Sequence, residues 1–294
     1  MLISFGCPVS GAWARPETIT TIARRAEELG YAGLWAFQRL LVGQDQDLAP
    51  VYRSVLDPTV ALTWAAAATS RIRLGVSVIN LPYLSPAYLA KQVSTLDLLS
   101  GGRFDLGLGT GWSEPEFVAT GSNPNPRGRR VEEYLTVLHT LFSGGGSSFS
   151  GSLYELPPSE MAPRPAQPGG PPILLGGTAD VALRRAGRIA LGWVSSSRAS
   201  IEDIARGARI VREAAEEAGK DPSRVRIVVR GVLHSGPLSG TWSQIREGTQ
   251  RYAEAGATEL FYDPNWDPRV GGPDADPKAA AELGEEILTE LAPR

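Results

Sequence analysis

Apolar and polar positions along this chain fall into sixteen segments of alternating period. Leu2–Cys7, Gly33–Phe37, Arg73–Asn80, Arg103–Leu108, Pro172–Leu175, Gly192–Ser195, Arg224–His234 and Glu259–Asp263 are short, nearly continuous apolar runs of strand character. Each is followed by helical periodicity, over Pro16–Leu29, Asp57–Thr69, Pro86–Leu99, Arg130–Phe142, Val181–Ile189, Ile201–Ala218, Trp242–Ala255 and Pro277–Leu291. Strands rich in Val, Ile and Leu and joined by crossover helices lie parallel and are buried on both faces. Eight such pairs with right-handed crossovers close into a (β/α)8 TIM barrel, so the pattern predicts an α/β chain of one domain, residues 1–294.

Punctuation supports these boundaries. Pro16, Pro58 and Pro86 stand in first helical turns, where a missing N–H costs nothing, and Gly30, Gly101 and Gly219 follow helix ends. One stretch breaks the rhythm. Residues 143–171, between the fourth helix and fifth strand, are rich in Gly, Ser and Pro, with FSGSLYEL as a candidate small hairpin. An excursion of roughly thirty residues without its own core reads as a mobile lid or binding loop.

Charge and composition narrow the partners. A net charge of −3 with both signs scattered offers no basic stripe for nucleic acid. The apolar start MLISFGCPV is too short to span a membrane and lacks a basic leader, so a cytoplasmic enzyme is expected. With one cysteine, Cys7, and two histidines, His139 and His234, neither an intrachain disulfide nor a conventional zinc site is expected.

In such barrels the loops at the C-terminal strand ends build the active site. That rule selects Cys7, Pro8, Phe37, Gln38, Arg39, Ser77 to Asn80, Thr110 to Trp112, Gly176 to Thr178, Ser195 to Ser197, His234 and Asp263. In ILLGGTADVALRRAG, Gly176 and Gly177 let backbone N–H groups converge on an anion at a helix N-terminus, with Thr178 adding a hydroxyl; the plainer alternative is a tight turn capped by Thr178 and Asp180. Arg184 and Arg185, two turns along, read first as surface charges. GLGTGW lacks the spacing and acidic residue of a Rossmann site, and its glycines suggest room for a flat ring, with Trp112 either stacking on a ligand or packing at the rim. His234 is a candidate proton donor or an ordinary hydrogen-bonding residue. No G-x-S-x-G elbow, HExxH or paired carboxylates can be found, which points to chemistry borrowed from a cofactor acting on a small-molecule substrate.

LGVSVINLPYLSPAYLAKQVSTLDLLSGGRFDLGLGTGW, RGRRVEEYLTVLHTLF and PPILLGGTADVALRRAGRIALGWV resemble, in order and spacing, the luciferase-like flavin and deazaflavin oxidoreductases. The chain is similar above all to the branch that uses coenzyme F420. The resemblance implies a bulge with a non-prolyl cis peptide at Ser77–Val78 backing the central ring of the coenzyme, with Asn80 at its pyrimidine edge. It implies Thr110, Gly111 and Trp112 beside the ribityl chain and ring, and Gly176, Gly177 and Thr178 around the phosphate. Where many deazaflavin-using relatives carry an acidic residue followed by His, this chain has Gln38 and Arg39. An arginine stays protonated and cannot be a general base, so sugar-phosphate dehydrogenation is not expected. Arg39 orients an anionic substrate or stabilises developing charge, or else forms a salt bridge to the coenzyme or a neighbouring loop. The resemblance implies hydride transfer between F420 and a small organic substrate, and a homodimer. Two alternatives are an FMN-dependent monooxygenase using oxygen and a barrel that binds coenzyme without turnover.

Overall fold

The computed structural model describes residues 1–146 and 148–293; Ser147, inside the predicted excursion, and Arg294 lie outside the described residues. In chain order the elements are β1 Leu2–Gly6, α1 Pro16–Glu28, β2 Gly33–Ala36, α2 Pro58–Ala68, β3 Arg73–Asn80, α3 Pro86–Leu99, β4 Phe104–Gly109, α4 Glu114–Ala119 and α5 Arg127–Ser143. They continue with β5 Phe149–Ser150, β6 Glu155–Leu156, β7 Ile173–Gly176, α6 Asp180–Ile189, β8 Gly192–Val194, α7 Ile201–Glu217, β9 Arg226–Val232, α8 Trp242–Glu254, β10 Glu259–Asp263 and α9 Pro277–Glu290. Eight strands pair in parallel around a closed barrel in the order β1-β10-β9-β8-β7-β4-β3-β2.

Local chemistry sets the helix starts. Pro16, Pro58 and Pro86 occupy first-turn positions, and the Asp57 carboxylate accepts from the N–H groups of Thr59 and Val60. Ser200 and Thr241 open α7 and α8 with capping boxes completed by Asp203 and Gln244. Two details depart from the sequence pattern. Helix α5 begins at Arg127, a turn before Arg130, and the short α4 precedes it; α4 is too short for a periodicity to register.

The excursion 143–171 carries the small antiparallel hairpin β5–β6. It is tied down rather than poised over the barrel. Glu133 of α5 accepts from the backbone N–H groups of Ser152, Leu153 and Tyr154, Leu156 and Met161 are buried, and Gln167 bonds Asp97 and the Phe104 carbonyl oxygen. The predicted lid is corrected accordingly: no described residue of this stretch lines the cavity at the mouth.

Side chains fill the barrel interior in tiers. At the N-terminal foot, Arg226 bridges Asp105 at 3.0 Å and Glu259 at 2.7 Å, and the second Glu259 oxygen accepts from Ser4 Oγ and Trp35 Nε1. Above this, Trp35 stacks on Phe261 with ring centroids 5.6 Å apart, packed with Leu174, Val194 and Val228. The upper tier opens as the site. Among the described residues no helix is long and apolar enough to cross a membrane.

Candidate active site

Between β3 and β4 the register slips. Val76 pairs with Leu106 but Ile79 with Leu108, so β3 carries one extra residue, a bulge at Ser77–Val78 whose peptide bond is cis. The sequence LGLG at the end of β4 accommodates it. A Cβ on Gly107 would lie 2.1 Å from the Val76 carbonyl oxygen, and one on Gly109 2.5 Å from Val78 Cγ2. These glycines therefore make room for the protein's own bulge, which corrects the expectation that they clear the way for a ring.

The bulge projects Val78 into a cavity of about 320 Å³ at the C-terminal mouth of the barrel. Gln38 and Arg39 after β2 meet there with the residues that the resemblance assigned to the coenzyme: Ser77, Val78 and Asn80 on β3, Thr110, Gly111 and Trp112 after β4, and Gly176, Gly177 and Thr178 after β7; Cys7, Pro8, Ile79, His234 and Asp263 do not line the cavity. Ser195, Ser196 and Ser197 join them from the end of β8. Gln38 is buried and its Oε1 accepts from the Asn80 N–H at 2.8 Å, locking the β2 exit to the β3 exit.

The β7 exit is an open amide turn. Gly177 has φ +136°, and a Cβ there would meet Ala182 Cβ at 2.7 Å, so a side chain fits neither the backbone nor the space. Ala179 caps α6 without any side-chain acceptor, so the first-turn N–H groups keep no cap from Thr178. Asp180 instead pairs with Arg206, which also bonds the Thr178 carbonyl oxygen at 3.2 Å. Arg184 pairs with Glu217 on the surface, and Arg185 lies 3.6 Å from Glu132; neither lines the cavity.

Arg39 is buried and sandwiched, its Cζ 4.6 Å from the Tyr52 ring and 4.4 Å from Trp112, while Trp112 itself is 53% exposed at the rim. Nη1 of Arg39 donates to Glu116 Oε2 at 2.8 Å. The same carboxylate accepts from Leu40 N at 2.8 Å and Tyr83 Oη at 3.2 Å. Burial first, then Glu116, pushes the Tyr83 hydroxyl well above its usual range, so it acts as a fixed donor.

Three contributors were not singled out from the sequence. Arg230 of β9 lines the cavity and donates Nη2 to the Ser77 carbonyl oxygen and, at 3.2 Å, to Ser77 Oγ. Its Nε faces Asp263 Oδ2 at 3.6 Å. Glu116, on the short helix α4, and Tyr52, on a 3-10 turn after β2, arrive from segments without motif signature. The signal for Arg230 was available: one of two arginines in the otherwise apolar strand RIVVRGV, it stands at even spacing from Val228 and so falls on the interior face.

Other candidates leave the site. Cys7 is fully buried, and burial, then Asp263, pushes its thiol up to about 12. Asp263 is buried behind Arg230; burial raises its carboxyl, against the lowering pull of Arg230 and Asn265. His234 turns outward to Asp267 at 3.2 Å and Arg269 at 3.1 Å and does not line the cavity, so it is no proton donor there.

A closed parallel barrel with a bulged third strand and an amide turn after the fifth defines the class, and sequence comparison gives the family. Residues 4–239 match the model of the luciferase-like monooxygenases, so the chain belongs to that family. An uncharacterised protein of Mycobacterium tuberculosis is 32% identical over 282 residues, covering 92% of each chain. An F420-dependent hydroxymycolic acid dehydrogenase of the same organism is 30% identical over 221 residues, 74% of this chain and 59% of that one. Among solved structures, the coenzyme F420-dependent tetrahydromethanopterin reductase of Methanopyrus kandleri superposes with a TM-score of 0.75 at 19% identity, covering 99% of this chain and 100% of that one. The oxygenating constituent of 3,6-diketocamphane monooxygenase from Pseudomonas putida, in complex with FMN, gives 0.76 at 19% identity, covering 100% and 98%. At these identities the two structures speak for the fold alone.

Proposed function

We propose that this chain is an F420-dependent oxidoreductase that moves a hydride between the coenzyme and a small organic substrate. The observation that carries the reading is the pairing of two features across one mouth: the Val78 bulge on β3 and the uncapped amide turn Gly176–Thr178 at the start of α6. The bulge offers a rigid apolar back for a planar ring. The turn offers N–H donors and the positive end of a helix to a phosphate. The cavity volume falls at the lower end of small-molecule sites, suited to a ring system whose tail runs out over the rim. When bound, F420 supplies two-electron hydride chemistry at C5 of its ring. Asn80, held by Gln38, is the polar contact for the pyrimidine edge, and Thr110 to Trp112 flank the ring and ribityl chain.

Choice of the deazaflavin over FMN is supported by the mycobacterial F420-dependent relative. Titration of the purified protein with oxidised F420 and, separately, FMN tests it by coenzyme fluorescence. Micromolar F420 binding with FMN at least tenfold weaker is expected. Tight FMN binding with no affinity for F420 overturns the reading in favour of a flavin monooxygenase, and F420 binding without hydride transfer to any acceptor would leave a coenzyme carrier.

A further inference from the structure

Among the described residues, Arg39 and Arg230 are the charged side chains of the cavity wall; no carboxylate, histidine or lysine lines it. Both guanidinium groups are anchored from behind and open in front. Arg39 spends Nη1 on Glu116, and Arg230 spends Nη2 on Ser77 and pairs Nε with Asp263. No hydrogen bond uses Nη2 of Arg39 or Nη1 of Arg230, and neither atom is sealed from the cavity as the Nε atoms are. Arg230 Cζ lies 5.2 Å from the Phe37 ring, and Phe37 meets Tyr52 edge-on at 6.2 Å. Tyr52 in turn carries Arg39, so two aromatic rings in edge-on contact link one cation to the other. The wall thus presents cationic hydrogen-bond donors beside aromatic side chains, and no group suited to take up a proton.

We infer that this wall is an oxyanion site and that the substrate is a planar conjugated carbonyl compound, such as an enone, reduced at its β carbon. The inference rests on the coenzyme reading above. In the step, the β carbon receives a hydride from the reduced deazaflavin, forming a C–H bond while the C=C bond opens. Its electron pair moves toward the carbonyl, and the negative charge comes to rest on the carbonyl oxygen, opposite the free Nη groups of Arg39 and Arg230. A proton from water at the open mouth then adds to the α carbon and restores the carbonyl. The substrate gains a hydride and a proton, and the coenzyme is oxidised by two electrons. The competing class, oxidation of a secondary alcohol, requires a base for the hydroxyl proton. The nearest carboxylates sit behind the arginines and are engaged, Glu116 with Arg39, Leu40 and Tyr83, and Asp263 with Arg230 and Asn265.

Two measurements test this. The first uses coenzyme-free protein and 4-nitrophenolate, a planar oxyanion resembling an enolate, followed by its absorbance shift. R39M/E116Q, which removes the cation together with its buried partner so that the fold is kept, is expected to bind it at least tenfold more weakly, and Arg39→Lys to recover part of the loss. The second supplies reduced F420 with 2-cyclohexenone and oxidised F420 with 2-propanol, in parallel. Enone reduction is expected, with coenzyme-derived deuterium at the β carbon and solvent deuterium at the α carbon, and kcat/KM about a hundredfold lower in R39M/E116Q. Unchanged phenolate affinity in R39M/E116Q, or turnover of 2-propanol without enone reduction, overturns the inference. Failure of the coenzyme reading shows separately, as absence of F420 binding, and the same substrates are then run with reduced FMN.

Discussion

Strands β9 and β10 carry the same pair of residue types at both ends of the barrel. Arg226 and Glu259 face inward at the foot, Val228 and Phe261 in the middle, and Arg230 and Asp263 at the mouth, each two residues apart along its strand. At the foot the pair is closed. Arg226 has a second carboxylate, Asp105, every Glu259 oxygen accepts a bond, and although burial alone would lower the Arg226 guanidinium, the two acids hold it above its ordinary range. At the mouth the ion pair is looser, 3.6 Å against 2.7 Å, Asp263 turns one oxygen to Asn265, and Arg230 keeps a free nitrogen toward the cavity. A buried charge whose bonds are all satisfied inside the protein serves the fold; one left part-satisfied at a cavity is available to a ligand.

Perturbing each end separates these roles. Arg226→Met strands Asp105 and Glu259 without a cation in the interior, and a loss of about 3–5 kcal/mol is expected in urea denaturation; a smaller loss than that of any mouth variant would reverse the contrast. Gly177→Asp adds a carboxylate beside the amide turn, so F420 affinity should fall about a hundredfold while thermal stability changes far less. Gly177→Ala separates the steric part, and unchanged affinity in the Asp variant removes the phosphate assignment. Gly107→Ala drives a methyl against the Val76 carbonyl oxygen and should cost about 1–3 kcal/mol of stability and weaken coenzyme binding, because it displaces the bulge. R39M/E116Q removes both members of the second ion pair at the mouth, Arg39 with Glu116, and its melting behaviour should stay within about 1 kcal/mol of the parent protein. A collapse in that double variant would make the Arg39–Glu116 pair structural, like the foot.

How much of this was legible beforehand follows from which signals are local. All eight barrel strands and the helices after them could be read from periodicity, and the turn after Leu175 from its glycine pair, because strand burial and positive-φ turns act within a few residues. The glycines of β4 were visible but misassigned: their reason is the bulge of a neighbouring strand, which no pattern within β4 encodes. The excursion 143–171 was visible as irregular chain, yet its anchoring depends on Glu133 and Asp97 in two helices. The spacing of Arg230 in its strand marks it as inward-facing, but its role depends on Ser77 and Asp263, which meet it in the closed barrel.

The sequence by itself determined the barrel, the order of its elements and the chain exits that gather at one end, since alternating hydrophobic periods and capping residues leave little freedom locally. Only the tertiary structure decided which charges are closed and which stay open. Ion pairing and desolvation depend on distances between residues far apart in the chain, such as Arg39 with Glu116 and Arg230 with Ser77 and Asp263, and those distances exist only once the barrel has closed.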